Sequence, residues 1–310
     1  MHDYPIDPRD EGRHAPEDER FWNESYYFDF HRDDGSLGGY VRVGFYPALG
    51  VTWYWACVVG PGRPLVSLVE HGAPIPAAPS LDLEHGTLRA THVCEAPNQR
   101  FRVGLAAEAR VHDDPADVYR GAGGRAVPLE IDLVWQTDGP GGYRFRELTR
   151  YEIPCSVSGH LRVGDEVFDF AGHGQRDHSW GSRDWWTTRW CWNAGRLDDG
   201  TRFHSVAPRT LDGQDMPWAA GYVQPPGGGP LAPIDHSLAR EELGAEGLPT
   251  SGRIEVGALQ LDVSPRCFAP VLLVDPDGRV ARFPRCLARY RAEDGREGVG
   301  WIEWNQPPPA

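Results

Sequence analysis

Apolar and polar positions alternate with period two along most of the chain. In "LEIDLVW" Leu129, Ile131, Leu133 and Trp135 fall on one side, and Glu130 and Asp132 on the other. In "GGYVRVGFY" Val41, Val43 and Phe45 alternate with Arg42, Gly44 and Tyr46. This is the period of a half-buried strand. "GVTWYWACVV", which holds Trp53 and Trp55, is rich in the aromatic and β-branched residues that strands favour. "GYRFRELTRYEI", "HLRVGDEVFDF", "GRIEVGALQLDV", "VLLVDPDGRVARF" and "GVGWIEW" continue the theme. Their connections, among them "VGDEV", "LDDGTR" and "DPDGR", carry hairpin signals. Helical periodicity is nearly absent; "IDHSLAREEL" (Ile234 to Leu243) predicts one short helix.

Such a pattern predicts an all-β chain. At this length it divides most simply into two barrels or sandwiches, because closure removes exposed strand edges. Residues 1–20 are polar and proline-bearing and predict a disordered or loosely docked lead. The first domain is expected over 21–150 and the second, carrying the central motif, over 151–305. "TDGPGGYR" and "EIPCSVSG" are the candidate seams, and "QPPGGGPLAP" reads as a long surface loop. No short-period repeat suggests a solenoid or propeller.

Composition narrows the function. The 310 residues contain no lysine, so the 31 basic residues are all arginine, which excludes a Schiff-base or P-loop lysine. A net charge of -14 disfavours nucleic acid and anionic membranes as partners. No run of ~18 apolar residues predicts a membrane span. The first twenty residues lack the apolar core of a signal peptide, so a cytoplasmic location is expected. The six cysteines are scattered and read as small buried hydrophobes in a reducing compartment. The sequence does not indicate an oligomeric state.

The densest chemistry lies in "GHGQRDHSWGSRDWW" (Gly172 to Trp186) and the "TTRWCWNAGRL" that follows. From Asp184 onward the pattern reads as a strand. Trp186, Trp190 and Trp192 would then share a face with Thr188, and Trp185 would lie on the other. Indoles on one face would make either a dense core or one wall of an apolar cavity. Arg176, Asp177, His178, Arg183 and Asp184 lie beside that face. Charges near apolar walls need partners. Arg176 with Asp184, or Arg183 with Asp177, would form a structural ion-pair knot. Alternatively, Asp177 in a dry pocket would have a raised pKa and donate a proton, with His178 as relay. His173, Asp177, His178 and His204 match no familiar metal spacing, and neither a metal nor a cofactor is expected. Ser179 lacks a nucleophile elbow.

At "GHGQRDHSWGSRDW" the chain resembles the hydroxyneurosporene synthase (carotenoid 1,2-hydratase)-like group and its related lipocalin-like families. Tocopherol cyclase-like proteins and fungal lipocalin-like Diels–Alderases are more distant relatives. "NESYYFDFHRDDGSLGGYVRVGFYP" and the closing "GVGWIEW" support the likeness, which covers the chain from about Phe21. The resemblance implies two tandem lipocalin-like β-domains enclosing an apolar pocket. It implies that His178 and Trp180 act in protonating an isoprenoid double bond. An acidic residue on a later strand takes part in that group; here "TRFHSVAPR" places His204 in that region. Glu303, on the closing strand, is expected to anchor an arginine. The resulting expectation is a cofactor-independent enzyme acting on an apolar isoprenoid or polyene by hydration, dehydration, isomerisation or cyclisation. Asp177, His178, Trp180 and His204 are the candidate catalytic groups, and Trp53, Trp55, Trp185, Trp186, Trp190 and Trp192 the candidate pocket. A non-catalytic binding protein for a hydrophobic small molecule, and a pericyclase, are the alternatives.

Overall fold

The structure is a computed structural model that describes residues 5–308. It is almost wholly antiparallel β, in two large curled sheets and one small hairpin, Val271–Val274 with Val280–Phe283. In the first sheet the strand order is Leu65–Ala73, Val51–Val59, Gly38–Tyr46, Trp22–His31, Glu166–Ser182, Arg150–Val163, Arg125–Thr137, Arg100–His112. Leu65–Ala73 pairs back onto Arg100–His112, which closes a barrel. Closure leaves these strands no free edge. The second sheet runs Ala232–Pro233, Ala220–Gln224, Arg202–Arg209, Arg189–Leu197, Glu297–Asn305, Arg285–Ala292, Leu259–Phe268, Pro249–Val256, Ser237–Leu243.

Three cores follow from this layout. Phe28, Val41, Phe101, Leu133, Trp135 and Ile153 fill the first barrel. Phe203, Leu261, Tyr290, Ile302 and Trp304 fill the second. Between them lies a seam core with Tyr27, Tyr40, Trp53, Trp55, Trp185, Trp192 and Trp301. Strand Trp22–His31 is therefore buried along its entire length: Tyr26, Phe28 and Phe30 face the barrel interior while Tyr27 faces the second barrel.

Several expectations are corrected. The boundary between the sheets falls between Ser182 and Arg189, not near 150. Strands Arg150–Val163 and Glu166–Ser182 belong to the first barrel, and the latter pairs with Trp22–His31 across more than 140 residues of sequence. The motif glycines permit that pairing. A Cβ on Gly174 would lie 2.0 Å from the Asp29 carbonyl, and one on Gly172 would lie 2.2 Å from that of His31. Ser237–Leu243 is a strand rather than a helix, because its backbone is drawn into pairing with Pro249–Val256. Asp184–Thr188 is a turn, and the strand begins at Arg189. The Asp184 carboxylate accepts from the Trp186 N–H at 2.9 Å, a turn conformation typical of aspartate.

The lead is docked over its described part, residues 5–20; residues 1–4 lie outside the described residues. Arg176 donates to both oxygens of Glu11, at 2.7 and 3.0 Å, and Tyr151 adds a third bond at 2.8 Å. The His14 ring stacks on Trp180 at 3.8 Å. Ile6 is buried against the barrel. The docking is largely ionic, with Ile6 and the His14–Trp180 stack as its apolar contacts.

Candidate active site between the two barrels

Strand register builds the site as two facing rows. On the first barrel Trp55, Arg42, Tyr27, Asp177 and Glu152 are opposite one another across successive strands. On the second, Arg285, Glu303, Trp192 and Val206 do the same. The rows meet where Trp192 Nε1 donates to Glu152 at 3.0 Å. Glu152, fully buried, also accepts from Arg150 Nε and Gln175 Nε2, both at 2.7 Å. Arg150 bonds Asp177 at 2.8 Å with its other arm. Arg285 pairs with Glu303 at 2.8 Å and stacks over Tyr40 at 4.0 Å.

Above these rows opens a cavity of about 440 Å3, within the ~300–1,000 Å3 typical of small-molecule sites. Trp180, Trp185, Trp190, Trp192 and Trp218 wall it, and Arg150, Arg183 and Glu303 reach it. Asn305 holds the tryptophan turn by donating to the carbonyls of Trp185 and Thr188, both at 2.7 Å. A larger, open groove of about 1080 Å3 adjoins, sharing Phe145, Glu147 and Trp218. Its charged Asp199 and Arg296 engage each other at 2.8 Å.

Burial dominates the electrostatics. It pushes the Asp177 carboxyl up to about 7, against the attraction of Arg150 and with the help of Glu152. It raises Glu152 and Glu303 too, each opposed by its arginine partner. It lowers Arg183 to about 10, and neighbouring Arg150 adds to that effect. Desolvation disfavours the charged form of either sign.

Strand alternation separates residues that are adjacent in sequence. Asp177 faces the seam, whereas His178 faces the interior of the first barrel. There the His178 ring stacks on Tyr26 at 3.9 Å, and its Nδ1–H donates to the Asp10 carbonyl at 2.6 Å. The expected relay from Asp177 to His178 therefore has no direct contact to pass through. His14, Glu24 and His178 bring their ligating atoms within 4.8 Å of one another. They are joined by direct bonds, His14 Nδ1 to Glu24 at 2.7 Å and His178 Nε2 to Glu24 at 3.1 Å, which clasp the lead to the barrel. His204 is fully buried behind Trp192 and held neutral by burial and by Arg150; its Nε2 lies 3.6 Å from Glu152.

The ion pairs also differ from those expected. Arg176 binds Glu11 rather than Asp184, and Asp184 binds Arg279 at 3.1 Å. Arg183 donates to the Ser179 hydroxyl at 2.9 Å rather than to Asp177. Trp185, Trp190 and Trp192 reach the cavity together, because the turn at Asp184–Thr188 breaks strand alternation. Trp186 packs away from it beside Phe21, and Trp53 and Trp55 lie in the seam core behind Trp185.

Sequence reasoning missed Arg150, Glu152, Arg42, Arg285 and Trp218. Arg150 and Glu152 alternate with Tyr151 and Ile153, a pattern that reads as a solvated strand face. Only the second barrel, laid over that face, makes it a buried one.

Among curated proteins, none matches the chain in sequence. The fold is shared with a Nitrosomonas europaea protein assigned as an AttH, at 16% identity and a TM-score of 0.67, covering 98% of this chain and 97% of that one. It is also shared with kievitone hydratase from Nectria haematococca, at 12% identity and a TM-score of 0.58, covering 92% and 89%. At these identities the likeness concerns the fold. The family described as a domain of unknown function, DUF7064, matches residues 7–308, and the protein belongs to that family.

Proposed function

We propose that the protein is a hydratase-type enzyme acting on an apolar, isoprenoid- or polyene-like substrate in the cavity between the barrels. One observation carries this reading: Glu303, a carboxyl with its pKa raised by burial, projects into a chamber walled by tryptophans. Kievitone hydratase, which has the same fold, supports the class of reaction.

In the proposed step the Glu303 carboxylic acid gives its proton to one carbon of a substrate double bond. The adjacent carbon becomes cationic and lies over the faces of Trp185, Trp190 and Trp192, where cation–π attraction favours it. Water adds to that carbon and its surplus proton returns to Glu303. Elimination of water is the same path reversed. Asp177 stands one layer behind as a positioning residue, because it shares Arg150 with Glu152 and so sets the field at the cavity floor. Trp180 would be a wall of the cavity rather than a proton carrier. The chemistry needs no redox partner.

The test is incubation of purified protein in D2O with a panel of prenyl acids, prenyl alcohols, polyprenyl chains and polyenes, read by product mass. Deuterium on a product carbon is expected, and its loss in Glu303→Gln with an unchanged circular dichroism spectrum. Full turnover in Glu303→Gln would refute the role of Glu303. Ligand retained without any product would identify a binding protein instead.

A further inference from the structure

Two arginines of the seam have no carboxylate partner among the described residues. Four arginines, Arg42, Arg150, Arg183 and Arg285, lie among four carboxyls, Glu152, Asp177, Glu303 and the fully buried Asp29, whose pKa burial pushes well up. Arg150 takes Glu152 and Asp177, and Arg285 takes Glu303. Arg42 and Arg183 have no carboxylate within 4 Å among the described residues. Arg42 is only 3% exposed. It stacks on Trp55 at 4.3 Å, donates to the Tyr46 hydroxyl at 3.1 Å, and keeps Nη1 without a hydrogen-bond partner. Arg183 stacks on Trp185 at 5.3 Å and reaches the cavity, where Ser179 is its hydrogen-bond acceptor. With all four carboxyls ionised the charges balance; with Asp29 protonated, as its burial favours, the sum is one positive charge, and each further protonation adds another. Buried charge without a counter-charge is costly, and removing a partner from such a network is felt strongly.

We propose that the cavity binds a substrate whose apolar skeleton carries one carboxylate, held by Arg183 with Arg150 beside it. The proposal rests on the cavity being the substrate site, and not on the reaction assigned to it. The arginines without a carboxylate partner supply the first requirement, an anion. The tryptophan walls supply the second, an apolar body attached to it. The planar, forked guanidinium suits a carboxylate, which it can meet with two parallel hydrogen bonds. The depressed pKa of Arg183 fits a cation whose counter-charge is brought by the ligand. The same arrangement explains why neutral polyenes and neutral amides would be poorer occupants: they shield Arg183 from water without giving it a carboxylate.

Two measurements on the full chain decide it. The first is thermal unfolding without ligand. Arg183→Met is expected to raise the melting temperature by a few degrees, because it removes a half-buried charge that has no carboxylate in contact; a fall of several degrees would overturn the proposal. The second is binding of matched pairs, prenyl and aryl acids such as geranate against their primary amides, by calorimetry at pH 7. The acids are expected to bind at least tenfold tighter, and Arg183→Met is expected to abolish the preference, the acids losing affinity and the amides gaining it. Equal binding of acid and amide, or a preference that persists in the variant, would overturn the proposal and leave the cavity as a site for neutral ligands. If neither series binds, the reading of the cavity as the substrate site fails, and this proposal fails with it.

Discussion

Glu152 is the acceptor at which the two barrels meet, and its truncation is the sharpest perturbation of the seam. It is fully buried and accepts from Arg150, Gln175 and Trp192 at 2.7, 2.7 and 3.0 Å. In Glu152→Ala the Arg150 guanidinium keeps only Asp177, and the other two donors lose their acceptor. Breaking a buried pair by removing one partner costs about 3–5 kcal/mol. Each orphaned neutral donor costs about 1–3 kcal/mol. These terms belong to one network and do not add, so a loss of about 4 kcal/mol is expected. Glu152→Gln keeps the shape and one acceptor, and about half that loss is expected. The assay is urea unfolding followed by both tryptophan fluorescence and far-ultraviolet circular dichroism. Coincident transitions establish that both barrels unfold together, and midpoints at constant slope give the difference. Glu130→Ala, an exposed partner of Arg162, is the control and should change stability by under ~0.5 kcal/mol. A loss below about 1 kcal/mol in Glu152→Ala, with the slope unchanged, would refute the account of the seam as a network held through this carboxylate.

Two further outcomes concern other parts of the molecule. Glu11→Ala leaves Arg176 buried and unpaired beneath the lead, so a loss of about 3–5 kcal/mol in urea unfolding is expected, together with faster proteolysis before residue 20; unchanged proteolysis would mean that the lead is held by its other contacts. Burial lowers His31, His71 and His92 to about 4. Between pH 4 and 6.5 the unfolded chain therefore binds more protons, and the stability these groups confer is complete above pH 6.5 and lost as pH falls toward 4. Each accounts for about 3 kcal/mol over that window. Asp177, raised to about 7, acts in the opposite sense, losing stability as pH rises. Comparing His92→Gln with the parent isolates one histidine: the parent should fall more steeply between pH 6.5 and 4, and equal slopes would show that His92 takes up its proton as readily in the folded state as in the unfolded one.

Much of the local structure was legible because the period of two leaves a mark wherever one strand face is apolar. Leu129, Ile131, Leu133 and Trp135 all point into the first barrel, as their alternation with Glu130 and Asp132 implies. The turns at "VGDEV", "LDDGTR" and "DPDGR" close the hairpins Arg150–Val163/Glu166–Ser182, Arg189–Leu197/Arg202–Arg209 and Val271–Val274/Val280–Phe283. The motif drew attention to the right neighbourhood, since Trp180, Arg183, Trp185, Trp190 and Trp192 do meet at one cavity. It misled where chemistry was assigned by adjacency. Asp177 and His178 are neighbours in sequence and back to back in space. "IDHSLAREEL" has helical spacing, yet strand pairing claimed it.

The sequence by itself determined that the chain is β throughout, where most strands begin and turn, and that its tryptophans and paired charges concentrate around residues 172–192. Those are properties of short windows, set by side-chain alternation and turn chemistry. Which partner each charge takes was decided only by the tertiary structure. Glu11 finds Arg176 across 165 residues, Glu152 finds Trp192 on another barrel, and Glu303, from the last strand, reaches the cavity beside Arg150 and Trp192. A strand face reads as polar until a second sheet covers it. At that point the same arginines and carboxylates lose their water, shift their pKa values and become the floor of a site.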